Sequence, residues 1–244
     1  MTTHNLSDEF VEALKEFDSA TIFNAVVSYM GGSQGGDELN TRGGQPLNYT
    51  GPELVSMLPE LGRAVGTVVT TEVTTNDPDS EAIPWDEYYQ TLDTTQGPII
   101  AVMKDVDSQP GRGAAFGDGM ARLHRYLGVT GAIVEGSIRD LDGIKKAGLP
   151  IWGTGRVPGH GVFNLISVNR SITVGNLLVH PGEVMVADSD GCTKIPDGIG
   201  IKGVLEHAQS IREMEQGLFA LYNEEGLTYS KLTKLIQEHL KRHK

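Results

Sequence analysis

Strand-like and helix-like patterns alternate through the middle of this chain. Apolar runs of strand length and segments of helical periodicity follow one another at residues 98–103, 118–127, 132–134, 140–147 and 151–152. Such an alternation is typical of a sheet with parallel strands and covering helices. Together with a Val- and Thr-rich strand at 64–75, this pattern predicts an α/β core.

Different patterns flank this core. Residues 172–195 hold short apolar runs between tight turns, which predicts antiparallel strands. On the other side, a first helix is predicted after Ser7, which can cap it, and a second helix is predicted at 19–30.

The end of the chain is predicted to form two helices, at 201–223 and 229–242, after Pro196. Two helices alone bury too little apolar surface to fold separately. We therefore expect an α/β domain over residues 1–198 and a C-terminal helical extension over 199–244.

Composition excludes several classes of partner. The 32 acidic residues outnumber the 20 basic ones and give a net charge of −12, which disfavours a nucleic-acid phosphate surface as a partner. The one cysteine, Cys192, cannot form an intramolecular disulfide and fits a reducing compartment. The N-terminus has no signal-peptide pattern, and no segment approaches the ~20 apolar residues of a membrane span. We expect a cytoplasmic protein that binds neither nucleic acid nor membrane.

A Gly-Asp-Gly turn at 117–119 opens the helix predicted at 118–127. Asp118 stands where an N-cap is expected, so the N–H groups of Gly119 and Met120 would point out of the helix start. Together with the helix dipole they would form a site for a carboxylate or phosphate. The alternative is a plain Asp N-cap without a ligand, which the spacing alone favours.

Arg139 and Asp140 follow the strand at 132–134 and a short turn. Ligands of open α/β sheets gather at the carboxyl ends of strands. Asp140 can supply an oxygen to magnesium or manganese, and Arg139 can stabilise an enolate oxygen. The alternative is that Asp140 caps the next helix and Arg139 forms a surface ion pair. If the helix at 118–127 packs beside this strand, both segments border one pocket that suits a 2-oxo acid.

Three segments in this order resemble the RraA-like superfamily: residues 117–121, residues 128–140 and the late VHPGEVMVADSDGCTKIP segment. That superfamily includes class II pyruvate aldolases, such as 4-hydroxy-4-methyl-2-oxoglutarate/4-carboxy-4-hydroxy-2-oxoadipate aldolase, and the regulator of ribonuclease activity A. The resemblance covers about the middle 100 residues well and the first 95 weakly. It implies a swivelling-domain-like α/β/β/α fold in a homotrimer or homohexamer, with active sites between subunits.

The resemblance also implies roles for individual residues. By position, Asp140 resembles the metal ligand, Arg139 the residue that contacts the pyruvyl oxygen, and Asp118 the acid that positions a proton-transfer water. The residues that resemble the cradle for the substrate carboxylate are Gly117, Gly119 and Met120.

The implied activity is that of a lyase dependent on magnesium or manganese. It would cleave a 4-hydroxy-2-oxo acid through a pyruvate enolate, with oxaloacetate decarboxylation as a companion reaction. The alternatives are a non-catalytic regulator that binds a ribonuclease or other protein, and a lyase for another 2-oxo acid. The loop at 155–161 departs from the family pattern; Arg156 or His160 there can reach the distal end of a substrate, and an incidental surface turn is an equal alternative.

Overall fold

The computed structural model describes residues 6–30, 41–42, 45–46 and 48–242. Helices α1 to α7 span Asp8–Lys15, Ser19–Tyr29, Trp85–Thr94, Asp118–Tyr126, Leu141–Ala147, Ile201–Tyr222 and Tyr229–Arg242. Strands β1 to β13 span Thr41–Arg42, Gln45–Pro46, Val55–Ser56, Ala64–Thr74, Ile99–Asp105, Ala114–Phe116, Val129–Ile138, Ile151–Arg156, Asn164–Val168, Ile172–Val174, Leu177–Val179, Val184–Ala187 and Cys192–Ile195.

A mixed sheet of nine strands organises the fold. Along its main path the order is β13-β12-β4-β5-β7-β8-β3, while β9 pairs with β4 and β6 pairs with β7. Strands β4, β5, β7 and β8 run parallel, and β12 and β13 join them in antiparallel fashion. Helix α4 connects β6 to β7, and helix α5 connects β7 to β8. This arrangement confirms the predicted α/β class.

Side chains of the central strands alternate between two cores. On one face of β5, Ala101 and Met103 pack in a cluster that includes residues of α3, α4 and α5. On the other face, Ile100 and Val102 pack with the hairpin that β10 and β11 form. A strand buried on both faces reads as a continuous apolar run, which is why this strand could be predicted without alternation.

The first helices and the last ones meet at one side of the sheet. Residues of α1, α2 and the first half of α6 form a third core with β4, β12 and β13; its members include Leu14, Ile22, Val65, Val186 and Val204. Ser7 caps α1 as predicted, with its Oγ accepting from Phe10 N at 3.3 Å. Helix α7 has no buried residue over its described range and contacts α6. No helix within the described ranges is long and apolar enough to cross a bilayer.

The structure differs from the sequence prediction at several elements. The sequence does not predict α3, β6 or β9, because α3 buries only Tyr88 and Leu92 and β6 has three residues. Strand β7 extends well beyond the predicted 132–134, through Gly131 and Gly136, which interrupt its apolar pattern. The antiparallel strands predicted at 172–195 are present, but β10 and β11 form a separate two-stranded sheet.

Candidate active site

A cavity of about 310 Å³ lies where β6 and β7 end. Its walls come from β6, the first turn of α4, the residues after β7 and the loop that follows β8. The lining residues are Ala114, Phe116, Gly117, Asp118, Gly119, Met120, Arg139, Asp140, His160 and Phe163. All six residues singled out from the two sequence segments therefore border one cavity.

The start of α4 differs from the prediction in one respect. Gly117, not Asp118, is the N-cap, and its extended backbone (φ −147°, ψ −176°) leads into Asp118 as the first helical residue. The side chain of Asp118 therefore makes no cap hydrogen bond. The first intrahelical bond runs from Ala121 N to Gly117 O at 3.0 Å, so the amides of Gly119 and Met120 precede it. A Cβ at Gly119 would meet nothing within 4 Å, which leaves open space beside these amides.

Arg139 and Asp140 are positioned by the end of β7. Arg139 N donates to Phe116 O at 3.0 Å, which fastens this turn to the end of β6. Asp140 has a left-handed backbone (φ 60°, ψ 40°) and occupies the N-cap position of α5, but its side chain makes no cap hydrogen bond. Its Oδ2 instead lies 3.2 Å from Arg139 Nε. The structure therefore contains the ion pair of the alternative interpretation but not the side-chain cap.

Two glycines allow these segments to approach each other. A Cβ at Gly117 would lie 3.3 Å from Asp140 Oδ2 and 3.4 Å from Arg139 Cγ and Nε. A Cβ at Gly143, on α5, would lie 2.5 Å from the Cβ and Oδ2 of Asp118. A side chain at Gly143 would collide with Asp118 at the start of α4, whereas one at Gly117 would crowd the side chains of Arg139 and Asp140.

Asp118 and Asp140 also line a more open depression beside the cavity, with Asp142, Gly143 and Arg156. Of the two loop residues considered from sequence, Arg156 lies at this depression and His160 lines the cavity itself. The two candidates for contact with the distal end of a substrate are therefore separated.

The donor set fits a hard divalent cation that keeps most of its water. No group of three or more His, Cys, Asp or Glu side chains that could hold a metal converges anywhere in the described ranges. Zinc sites need three or four protein ligands, whereas magnesium is often held by one or two carboxylates plus waters and substrate oxygens. Asp140, whose side chain is 48 % exposed beside open space, can provide such a carboxylate.

Backbone contacts hold the loop that carries His160. Gly159 O accepts from Ala114 N at 2.7 Å, and Val162 N donates to Thr75 O at 3.0 Å. Gly161 has φ +66°, and a Cβ there would overlap the carbonyl oxygen of Thr75. Only glycine meets both demands, so Gly161 and the two backbone hydrogen bonds fix the path of this loop against Thr75 and β6.

An aromatic stack supports the cavity wall at Phe163. Phe163, at φ 62°, stacks on Trp85 with ring centroids 4.6 Å apart and an interplanar angle of 13°. Trp85 Nε1 donates to Phe163 O at 3.3 Å, so the ring and the strained backbone are held by one side chain. Sequence reasoning missed both residues, since 78 positions separate them and neither belongs to a local motif.

A buried histidine supports the inner wall. His124 Nδ1 lies 2.7 Å from Met120 O, and its Nε2 lies 2.8 Å from the Tyr88 hydroxyl. Burial lowers the pKa of His124 to about 4, so the ring is neutral at physiological pH. Its ring also meets Phe116 edge-on, with centroids 4.9 Å apart. The first turn of α4 is thus tied to α3 through a neutral, fully paired imidazole.

Comparison with known proteins places this site in context. The family model described as RraA-like, Aldolase/RraA, matches residues 8–193. An uncharacterized protein of Methanocaldococcus jannaschii is 26 % identical over 176 residues, or 71 % of this chain and 78 % of that protein. A protein of Halalkalibacterium halodurans, whose name proposes a 4-hydroxy-4-methyl-2-oxoglutarate aldolase, is 30 % identical over 122 residues, or 45 % of this chain and 58 % of that protein.

Solved structures share the fold. An uncharacterized protein from Pseudomonas syringae pv. tomato aligns with a TM-score of 0.72 at 18 % identity, over 98 % of this chain and 97 % of that one. Streptomyces coelicolor RraAS2, described as an unusual member of the RNase ES inhibitor RraA protein family, aligns with a TM-score of 0.64 at 22 % identity, over 89 % of this chain and 98 % of that one. The family model covers most of the sequence, so the chain belongs to the RraA-like family.

Proposed function

We propose that this protein is a divalent-metal-dependent lyase that cleaves a 4-hydroxy-2-oxo acid between C3 and C4 and releases pyruvate. One observation carries the proposal. The free amides at the start of α4, the guanidinium of Arg139 and the carboxylate of Asp140 border a single cavity. An anion site, a fixed cation and a hard oxygen ligand are the groups that a bound 2-oxo acid requires.

The substrate carboxylate would accept hydrogen bonds from the amides of Gly119 and Met120. The positive end of the α4 dipole favours an anion there, and the open space beside Gly119 admits it. The neighbouring keto oxygen would then face Arg139, whose planar fork can donate two hydrogen bonds. When bound at Asp140, magnesium or manganese would supply further positive charge at the same oxygens.

Cleavage breaks the C3–C4 bond, and its electron pair forms the enolate of pyruvate. Arg139 would stabilise the negative oxygen that develops at C2. Asp118, at the mouth of the cavity and beside the open depression, would position the water that returns a proton to C3. Oxaloacetate decarboxylation produces the same enolate, so it is the expected companion activity.

The experiment is proton NMR of pyruvate in heavy water. We expect its methyl protons to exchange with solvent in the presence of magnesium or manganese and to stop exchanging after chelation. Asp140→Asn should abolish metal binding in calorimetric titrations and should abolish exchange. Asp93→Asn, on the exposed face of α3, is the matched control and should change neither quantity.

The main alternative is a regulator without catalysis, because the RraA-like family includes aldolases and also inhibitors of ribonucleases. The same NMR measurement separates the two. Absence of exchange above the buffer rate with either metal would contradict the pyruvate-releasing lyase and leave a protein-binding regulator or a lyase that does not form pyruvate.

We also propose that the protein assembles as a homotrimer or homohexamer, with neighbouring subunits beside each cavity. The support is the family resemblance. Light scattering of the full chain tests it, and a stable, active monomer would contradict the proposal.

A further inference from the structure

We propose that His160 is the general base that takes the proton from the C4 hydroxyl during cleavage. This assignment rests on the lyase function proposed above and adds a catalytic residue to it. Retro-aldol cleavage turns a C4 alcohol into a carbonyl, so a group in the cavity must accept the hydroxyl proton as the C3–C4 bond breaks.

The other ionisable groups that line the cavity are committed to different tasks. They are Asp118, Arg139 and Asp140. Arg139 is a permanent cation and cannot accept a proton. Asp140 is paired with Arg139 and is the proposed metal ligand. Asp118 stands on the α5 side, where its carboxyl lies over Gly143. His160 is the remaining ionisable side chain on the lining.

The contacts of His160 set its tautomer. Its Nδ1 lies 2.8 Å from the carbonyl oxygen of Gly161. A carbonyl oxygen can only accept, so Nδ1 must carry a hydrogen in this contact. In the neutral ring, Nε2 then holds the lone pair and is an acceptor. Nε2 makes no hydrogen bond to the described part of the chain, so it is available to a substrate hydroxyl.

His160 borders the same cavity as Arg139 and Asp140 but belongs to a different loop. Gly159 is bonded to Ala114, at the start of β6, whereas Arg139 and Asp140 lie against Gly117 at its end. Because the side chains of His160 and Arg139 line the one cavity, a substrate held by C1 and C2 near Gly117 would direct its C4 hydroxyl toward His160 Nε2.

The proton and electron balance is complete without another reactant. Nε2 accepts the hydroxyl proton, the C4–O bond becomes a carbonyl, and the C3–C4 electron pair becomes the C2–C3 double bond of the enolate. The imidazolium later returns its proton to solvent. Oxaloacetate has no C4 hydroxyl, and exchange of pyruvate methyl protons does not involve one. His160 is therefore required for cleavage only.

This separation provides the test. We expect His160→Asn and His160→Gln to slow pyruvate release from 4-hydroxy-4-methyl-2-oxoglutarate by about 10²–10⁴-fold in kcat. The Asn variant keeps a donor for Gly161 O and so preserves the loop, whereas the Gln variant extends toward the Nε2 position. Pyruvate exchange and oxaloacetate decarboxylation should continue at wild-type rates in both variants.

A third variant and a control sharpen the result. Added imidazole should restore part of the cleavage rate of His160→Ala. His180→Asn should leave all three reactions unchanged, because its ring lies outside the cavity with Nδ1 2.7 Å from Ser171 Oγ. Unchanged cleavage in the His160 variants, or an equal loss of all three reactions, would overturn the assignment. A wild-type protein that fails to exchange pyruvate would instead contradict the lyase function itself.

Discussion

Two ion pairs in this protein have similar distances between their charged atoms but differ in their surroundings. Lys194 Nζ lies 2.9 Å from Glu183 Oε1, and both side chains are almost fully buried, with 7 % and 2 % exposure. Arg139 Nε lies 3.2 Å from Asp140 Oδ2, and these side chains are 36 % and 48 % exposed. The first pair joins β12 and β13 to the β10–β11 hairpin, and the second borders the cavity.

The difference lies in how many partners each charge has. Lys194 Nζ also donates to Leu178 O at 2.7 Å, and Glu183 Oε2 also accepts from His180 N at 2.8 Å. The buried charges are therefore fully paired, as buried charges must be. The Asp140 carboxylate can accept further hydrogen bonds or bind a metal ion, and it lies next to open space. A charge that the fold leaves incompletely paired is available to a ligand, and this is what distinguishes the candidate site from a structural pair.

The largest effect is expected from breaking the buried pair. Lys194→Met should lower the free energy of unfolding by about 3–5 kcal/mol, because it leaves the Glu183 carboxylate buried without its cation. Urea denaturation measures this change. The double variant Glu183→Leu/Lys194→Met should recover most of the loss, and a double variant as unstable as the single one would contradict this interpretation of the pair.

The exposed pair should respond in activity rather than stability. Arg139→Lys loses the planar fork, so we expect metal-dependent pyruvate exchange to slow by about 10²–10³-fold while the urea midpoint stays unchanged. Arg170→Lys, at an exposed position outside the cavity, is the matched control. Equal rates in the two variants would remove Arg139 from the proposed mechanism.

A third effect comes from the buried histidine behind the cavity. The pKa of His124 falls from its ordinary 6.5 to about 4 on folding. The unfolded chain therefore binds a proton between these values while the folded protein does not. The contribution of His124 to the free energy of unfolding is fully present above pH 6.5. It is lost as the pH falls toward 4, and the loss amounts to up to about 3 kcal/mol. Urea titrations across this range should show the slope, and His124→Gln should flatten it.

The smallest effect is expected from substitutions that test the left-handed backbone conformation of Asp140. Its left-handed conformation suits Asp and Asn but costs an ordinary residue roughly 1–2 kcal/mol. We expect Asp140→Asn to change the free energy of unfolding by less than about 0.5 kcal/mol and Asp140→Ala to lower it measurably more. A large loss in the Asn variant would mean that the Asp140 charge is structural, as that of Glu183 is.

The sequence predicts more of the site than of its surroundings. Short-range motifs indicated the α4 turn and the Arg139–Asp140 pair. They were expected to border one pocket on the condition that the helix packs beside the strand, since ligands gather at the carboxyl ends of strands. The cap assignment of Asp118 was wrong, since Gly117 fills that position in an extended conformation. The stack of Trp85 on Phe163 could not be predicted, because tertiary packing alone brings the two residues together.

The same limits apply to the ends of the chain. Amphipathic periodicity located α1, and Ser7 marked its start. Helices α6 and α7 were predicted to follow Pro196, and the structure contains both. Strand β6 carries no such signal, since three residues cannot display a period. The division of the chain at residue 198 stays a prediction, as does the role of Arg156.

The pairing of β6 has a consequence for local opening of the molecule. Strand β5 pairs with β7 as far as Lys104 and Glu135, the chain then leaves the sheet, and β6 resumes the same side of β7 at Ala114 and Ser137. A three-residue strand makes few hydrogen bonds to the sheet. Its amide hydrogens should therefore exchange with solvent faster than those of the neighbouring β5. Strand β6 lines the cavity and accepts a hydrogen bond from Arg139 N. A ligand bound in the cavity should therefore slow amide exchange over 114–120. Amide exchange can therefore detect cavity ligands before any substrate has been identified.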